Sequence, residues 1–388
     1  MSGTDEVEGL LRALIAIPSV NPRSQPPHPA APGEADLAAF LQDWLATRDI
    51  DVTIHDALPG RPNVVAVVPG RTRQAVVLEA HTDTVEIDQM TIDPFAGTVA
   101  DGRIHGRGAC DTKGSLAAFL LALQQLAADD VPPPVTVVLA AVADEEHLYH
   151  GVSAFLDHAP ELDYAGAVVG EPTELRAGIA HKGVVRCTIH VHGRSGHSSR
   201  PAEALSAVRL AIDVVAALEA DPGTDRIHPV LGEATRTVVR IHAGDGPNVV
   251  PGHCEIDIDR RTLPGEDPHE VWRALGQELE AVLPHRVTID EPFVVDYALD
   301  TPAESAVVTG LTERLASHGL AAEPTGLTFC SDASKFGLRG IPAVVFGPGS
   351  ISQAHTDDEF VDLADVATAR DVIVELIRSW EVDDDITA

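Results

Sequence analysis

A chain of 388 residues with 44% hydrophobic content is long enough for two domains and rich enough for a core. Its net charge of −33 argues against nucleic acid and anionic membrane as partners. No apolar run approaches the ~18 residues that span a bilayer, and the acidic opening "MSGTDEVEGL" lacks the basic region of a secretory signal. Cys110, Cys187, Cys254 and Cys330 form no CxxC pair and read as reduced thiols of a cytoplasmic protein.

In chain order, two amphipathic helices come first, "DEVEGLLRALIAI" and "EADLAAFLQDWLATR", with a Pro-rich loop between them. Strands and helices then alternate. "NVVAVVPG" and "QAVVLEAHTDTV" read as strands, "SLAAFLLALQQLAA" as a helix and "VTVVLAAVA" as a strand. "GVSAFLDHA" reads as a short helix and "YAGAVVG" as a strand. Near the C-terminus the order is helix "ESAVVTGLTERLASHG", strand "IPAVVFGPG" and helix "LADVATARDVIVELIRSW". Apolar strands alternating with helices predict an α/β fold, a mostly parallel sheet flanked by helices on both faces.

The middle of the chain has another pattern. "RCTIHVHG", "TVVRIHAG" and "HCEIDIDRRTL" alternate apolar with polar residues, so one face of their sheet is solvated. Two helices, from Ala202 and from His269, fall among them. The expectation is a discontinuous α/β domain over 1–178 and 290–388, with an inserted α+β domain over 179–289.

In open parallel sheets, ligands gather at the carboxyl ends of strands. Here those ends carry acids and imidazoles. "VVLEAHTDTV" ends in His81 and Asp83, "VVLAAVADEE" in Glu145 and Glu146, and "AGAVVGEP" in Glu171. "AVVFGPGSISQAH" leads to His355, and Asp111 in "GRGACDTKGS" precedes a helix. His81 and Asp83 are two apart and share a face of an extended segment, so one can ligate while the other orients it. Glu145 and Glu146 are adjacent, and on extended chain would point opposite ways. So many carboxylates at one sheet edge are costly without a cation. Mixed imidazole and carboxylate ligands suit zinc, with cobalt or manganese as alternatives, and the set is large enough for two ions.

As an ordered set, "HTDTV", "GRGACDTKGS", "ADEEH", "GEPTEL", "AHKG", "GRSGHSSRP", "NVVPG" and "GPGSISQAHTDDEF" resemble the dinuclear zinc amidohydrolase superfamily. That group includes acetylornithine deacetylase, succinyl-diaminopimelate desuccinylase, aminoacylase and glutamate carboxypeptidase. The "GEPTEL", "AHKG", "SGHSS", "LPG" and "GPGSISQAH" versions look most like acetylornithine deacetylase. The segment "CSDASKF", with Ser331 and Asp332, departs from that pattern toward a form seen in other members.

The resemblance implies that His81 and Glu171 hold one metal, Glu146 and His355 the other, and that Asp111 bridges them. Asp83 would buttress His81, and Glu145 would be the general base. His197 would reach a neighbouring subunit's active site and steady the oxyanion, and Asn248 and Arg261 would bind substrate near its carboxylate. It also implies that 1–178 and 290–388 form the catalytic domain and 179–289 a lid and dimerisation domain, a cis Asp111–Thr112 peptide, a homodimer, and an N-acyl amino acid or short peptide as substrate. A catalytically dead binding module would be free to lose Glu145 or a ligand, yet the chain retains each of them. A serine hydrolase would want a Gly-x-Ser-x-Gly elbow, which the sequence lacks.

Overall fold

The structure, a computed structural model, describes residues 3–23, 33–220, 223–244 and 246–382. Most of the Pro-rich segment lies outside them. The chain divides into two compact units. One comprises 1–179, 301–325 and 331–388, the other 180–300 and 326–330.

The centre of the first unit is parallel. Strands Thr136–Val142, Gln74–His81, Asp163–Val169 and Ala343–Val345 lie side by side in that order. An antiparallel hairpin, Asp51–Leu58 and Arg61–Val68, extends the sheet beyond Thr136–Val142. The α/β expectation is borne out. The strand Asp51–Leu58 was not read from sequence, because an edge strand with mostly exposed residues carries no apolar run.

Gln74–His81 and Thr136–Val142 are buried at every position, since the sheet is covered on both sides. Alternate residues divide between the faces. Val76, Leu78, Ala80, Val137, Leu139 and Ala141 join a core with helices Gly3–Ile15, Lys113–Ala127, Ala306–Ser317 and Leu363–Arg378. Helices His150–His158 and Ala333–Leu338 meet through Phe155 and Phe336, whose ring centroids are 6.2 Å apart.

The second unit is an antiparallel sheet, in the order Thr235–Ala243, His253–Thr262, Gly183–His192 and Val287–Ile289. Cys187, Ile189, Val191, Cys254, Ile256 and Ile258 turn inward to helices Ala207–Ala220 and Pro268–Val282. Their sequence neighbours turn outward, the solvated face that the alternation predicts.

Three boundaries differ from expectation. Residues 290–300 belong to the second unit, because strand Val294–Asp296 pairs with Arg186–Val184. Residues 326–330 return to it as well, where the Cys330 thiol donates to the Lys182 carbonyl at 3.2 Å. The helix expected from Ala202 begins at Ala207, because Leu205 is still bridged to Arg194, and a 3₁₀ turn occupies Pro201–Glu203.

Candidate metal centre

Parallel register brings the first ligand candidates together. His81 lies opposite Val142 and Glu79 opposite Val169, so His81, the acid turn after Val142 and Glu171 emerge at one sheet edge. The His81 Nδ1 faces the backbone carbonyl of Asp83 at 2.9 Å, leaving Nε2 toward the acids. Asp111 Oδ1 is 3.0 Å from that Nε2, and Glu171 Oε1 is 3.9 Å away. The other Asp111 oxygen, Oδ2, is 3.2 Å from His355 Nε2, and the same nitrogen is 3.1 Å from Glu146 Oε1. One carboxylate therefore stands between two imidazoles. Ligand atoms of His81, Asp111 and Glu146 lie within 4.8 Å of one another, as do those of His81, Glu145 and Glu171.

Asp83 meets His81 more closely through its backbone carbonyl than through its side chain. Its carboxylate is 3.6 Å from His81 Nδ1, and its hydrogen bonds go elsewhere. Oδ1 accepts from the backbone N–H of Glu145 and Oδ2 from that of Glu146, both at 3.1 Å. The two glutamates are not on extended chain. The strand stops at Val142, Asp144 takes a left-handed φ of 67°, and a turn follows. It is this turn, not strand pleat, that gives Glu145 and Glu146 different neighbours.

Residues that sequence reasoning missed support the ligands. Buried Arg61 donates to Asp144 Oδ1 at 2.7 Å and to both oxygens of buried Glu34, the Nε bond being 2.7 Å. Asn21 Nδ2 donates to Asp83 Oδ2 at 2.6 Å and to Asp144 Oδ1 at 3.1 Å. Glu359 accepts from Arg107 Nη1 at 2.7 Å and from the N–H groups of Gly108, Cys110 and Asp111 at 3.2, 2.8 and 3.0 Å. It precedes strand Phe360–Asp362, which pairs with Arg103–His105 and so delivers Glu359 to the Asp111 loop. Buried Lys113 donates to the carbonyls of Leu14 and Ile17 at 2.9 and 2.8 Å. The Asp111–Thr112 peptide is cis.

The charges test whether this set suits a metal. Asp111 is held low, because hydrogen bonds from His355 and His81 outweigh the opposing effect of burial. Burial also opposes the charged form of His81, but Asp111 and Glu171 outweigh it and hold the imidazole well above its usual range. Asp111 and Glu146 push His355 up to about 11. Burial, partly offset by His81, and then Asp332, Glu146 and Asp111 push Glu145 well above the carboxylate range. Burial followed by Asp111 and Glu145 does the same to Glu171, and burial followed by Asp111 raises Glu146. Such a cluster can hold protons to neutralise itself, and divalent cations would relieve the same conflict. The residues fit metal ions.

Ser331 and Asp332 are both buried. Asp332 faces Glu79, whose carboxyl is lifted by burial first and then by Asp332.

The second unit holds the remaining expected residues. His197 pairs with Val249, and the Ser198 N–H donates to the Asn248 carbonyl at 3.0 Å, so His197 and Asn248 are neighbours. The His197 Nδ1 accepts from the Ser199 N–H at 3.2 Å, which places the proton of a neutral ring on Nε2. Arg261 is not with them. It lies eight residues along the strand from His253, roughly 27 Å at about 3.4 Å per residue, with Nε 2.7 Å from Asp259 Oδ1.

Imidazoles and carboxylates gathered at the strand ends of an α/β sheet are the make-up of a metal-dependent hydrolase. The chain belongs to peptidase family M20/M25/M40, whose model matches residues 77–379. Solved structures share its fold. A tripeptidase from Staphylococcus aureus is 19% identical, with 97% of this chain and 98% of that chain covered at a TM-score of 0.80. An M20 family metallo-carboxypeptidase from Sulfolobus solfataricus is 18% identical, with 97% and 99% covered at 0.81. A dinuclear metal-binding M20 peptidase from Bacillus subtilis is 17% identical, with 97% and 98% covered at 0.72. At these identities the likeness is one of fold.

Proposed function

We propose that the chain hydrolyses the amide bond of an N-acyl amino acid at a two-metal centre, with Glu145 as general base. The observation that carries this reading is Asp111, whose two oxygens address His81 and His355 separately. His81 and Glu171 would hold one ion and Glu146 and His355 the other, with Asp111 common to both. Zinc suits the donor set, with cobalt or manganese as alternatives. Bound there, the ions would polarise the amide carbonyl and acidify the attacking water. Glu145 takes a proton from that water and delivers it to the leaving amine, as a carboxylate beside the ligand set can.

His197, with its proton on Nε2, donates to the oxyanion at a neighbouring subunit's centre. Asn248, beside it, and Arg261 bind the substrate near its carboxylate. Supporting a homodimer, strand Thr235–Ala243 is an edge strand exposing Val239 and Ile241, and helix Ala207–Ala220 exposes Val208 and Ile212. The four free cysteines support a cytoplasmic location.

An exopeptidase is the second reading, favoured by the tripeptidase and carboxypeptidase that share the fold. The deciding experiment is an amine-release screen over N-acetyl, N-succinyl and N-formyl amino acids and dipeptides, with zinc, cobalt or manganese added. Release from the acyl amino acids supports the first reading. Release from peptides alone replaces it with the second.

A further inference from the structure

The solvated face of the second unit's sheet carries a compact group of imidazoles. His190 and His192 alternate on one strand, His253 and Glu255 on the next. Antiparallel register sets His253 opposite His192 and Glu255 opposite His190. The His190 Nδ1 is 3.1 Å from His253 Nε2, and ligand atoms of His190, His253 and Glu255 lie within 4.8 Å of one another.

We propose that His190, His253 and Glu255 bind one divalent transition-metal ion of the zinc class, separately from the hydrolytic centre. The donor set is two imidazoles and a carboxylate, a three-ligand combination that zinc takes with its fourth position open. The spacing also suits. A tetrahedral zinc about 2.0–2.1 Å from each nitrogen separates them by about 3.3 Å, and these nitrogens stand 3.1 Å apart.

A neighbouring carboxylate prepares the ligand. The His190 Nε2 is 2.8 Å from Asp290 Oδ2. A carboxylate accepts only, so Nε2 holds the proton and the lone pair of a neutral ring sits on Nδ1, toward His253. This is the carboxylate–histidine arrangement that fixes the tautomer of metal-bound imidazoles, with Asp290 as the positioning residue. His192 flanks the site, its ring centroid 5.6 Å from that of His253, and is turned away by a 2.9 Å contact between Nε2 and Thr288 Oγ1. An ion here would link the two central strands on their solvent side and leave a coordination position for water or an incoming ligand.

The test is a zinc count on the full chain. Chelator-treated wild type, His253→Gln and His190→Gln are dialysed against micromolar free zinc and analysed for bound metal. Both variants are expected to hold one ion fewer per chain than wild type, with unchanged turnover of whatever substrate the wild type cleaves. Asp290→Asn is expected to hold the same number at saturation with affinity lowered about 10–100-fold. Zinc in excess of its Kd should also raise the melting temperature of wild type above that of His253→Gln. Equal zinc content in wild type and both histidine variants would overturn the proposal, because the cluster would then be a hydrogen-bonded surface only. Since the comparison is a difference between variants, it does not depend on how many ions the hydrolytic centre takes.

Discussion

Asp83 fixes Glu145 through the backbone: its Oδ1 accepts the Glu145 N–H at 3.1 Å, while Oδ2 accepts the next N–H along the turn. The turn that presents the proposed general base is thus held by an aspartate sixty-two residues earlier in the chain. Asp83→Asn puts an amide N–H₂ where one of two adjacent backbone donors needs an acceptor. Turnover or metal affinity should fall about 10–100-fold, with Asp83→Ala worse. Steady-state kinetics across a metal titration measures both, and wild-type values for Asp83→Asn would refute this role.

The two glutamates of the turn should separate cleanly. Glu145→Gln keeps the shape of the side chain but cannot accept a proton at neutral pH, so turnover should drop about 10²–10⁴-fold or more while metal content stays near wild type. Glu146→Gln replaces an anionic oxygen beside His355 with a neutral one and should lose metal as well. Elemental analysis alongside kinetics decides, and the opposite pattern would exchange the two roles.

Loading the centre should release protons. Asp111 and Glu171 hold His81 well above its usual range despite burial, and Asp111 and Glu146 push His355 up to about 11, so a metal competes with protons at both imidazoles. Affinity should rise with pH, weaken as pH falls, and be accompanied by release of protons. Calorimetry in buffers of different ionisation enthalpy counts them. Heats independent of buffer would contradict the assignment.

Glu359 should be as sensitive as a ligand without touching metal. Glu359→Gln removes the partner of buried Arg107 and sets a donor against the N–H groups of the Asp111 loop. Breaking a buried pair of this kind costs about 3–5 kcal/mol. Exposed Glu313→Gln, which loses only a surface contact to Arg314, should cost within about 0.5 kcal/mol. Denaturant midpoints distinguish the two, and equal midpoints would mean the loop holds itself.

A complementation experiment addresses the subunit question. Chains carrying His197→Ala are mixed with chains carrying Glu145→Gln. If His197 serves the neighbouring site, heterodimers contain one centre with both groups intact, and activity returns. No recovery despite demonstrated subunit exchange would place His197 in its own chain's chemistry or outside it.

The ligand candidates were legible because each follows a recognisable strand or precedes a helix. His81, Glu171 and the acid turn stand where apolar runs end, and the pairing of those strands does the rest. The supporting residues were not. Arg107 and Glu359 are 252 positions apart, and nothing near either one signals the other. Arg61 reads as a polar residue at the start of a strand until the fold sets Glu34 and Asp144 beside it. The turn conformation at Asp144 was also hidden, since three acids in a row carry no mark of a left-handed residue.

The ties to Asn21, Glu34, Arg61 and the Leu14 and Ile17 carbonyls reach the centre from residues ahead of the family model's first matched position, Val77. A fragment trimmed to that footprint would still contain every proposed ligand and the proposed base. It would lack Arg61 against Asp144, Asn21 against Asp83, and the acceptors for the Lys113 ammonium. A piece of this chain able to work is therefore expected to reach ahead of Val77, as far as the helix whose Leu14 carbonyl receives the Lys113 ammonium.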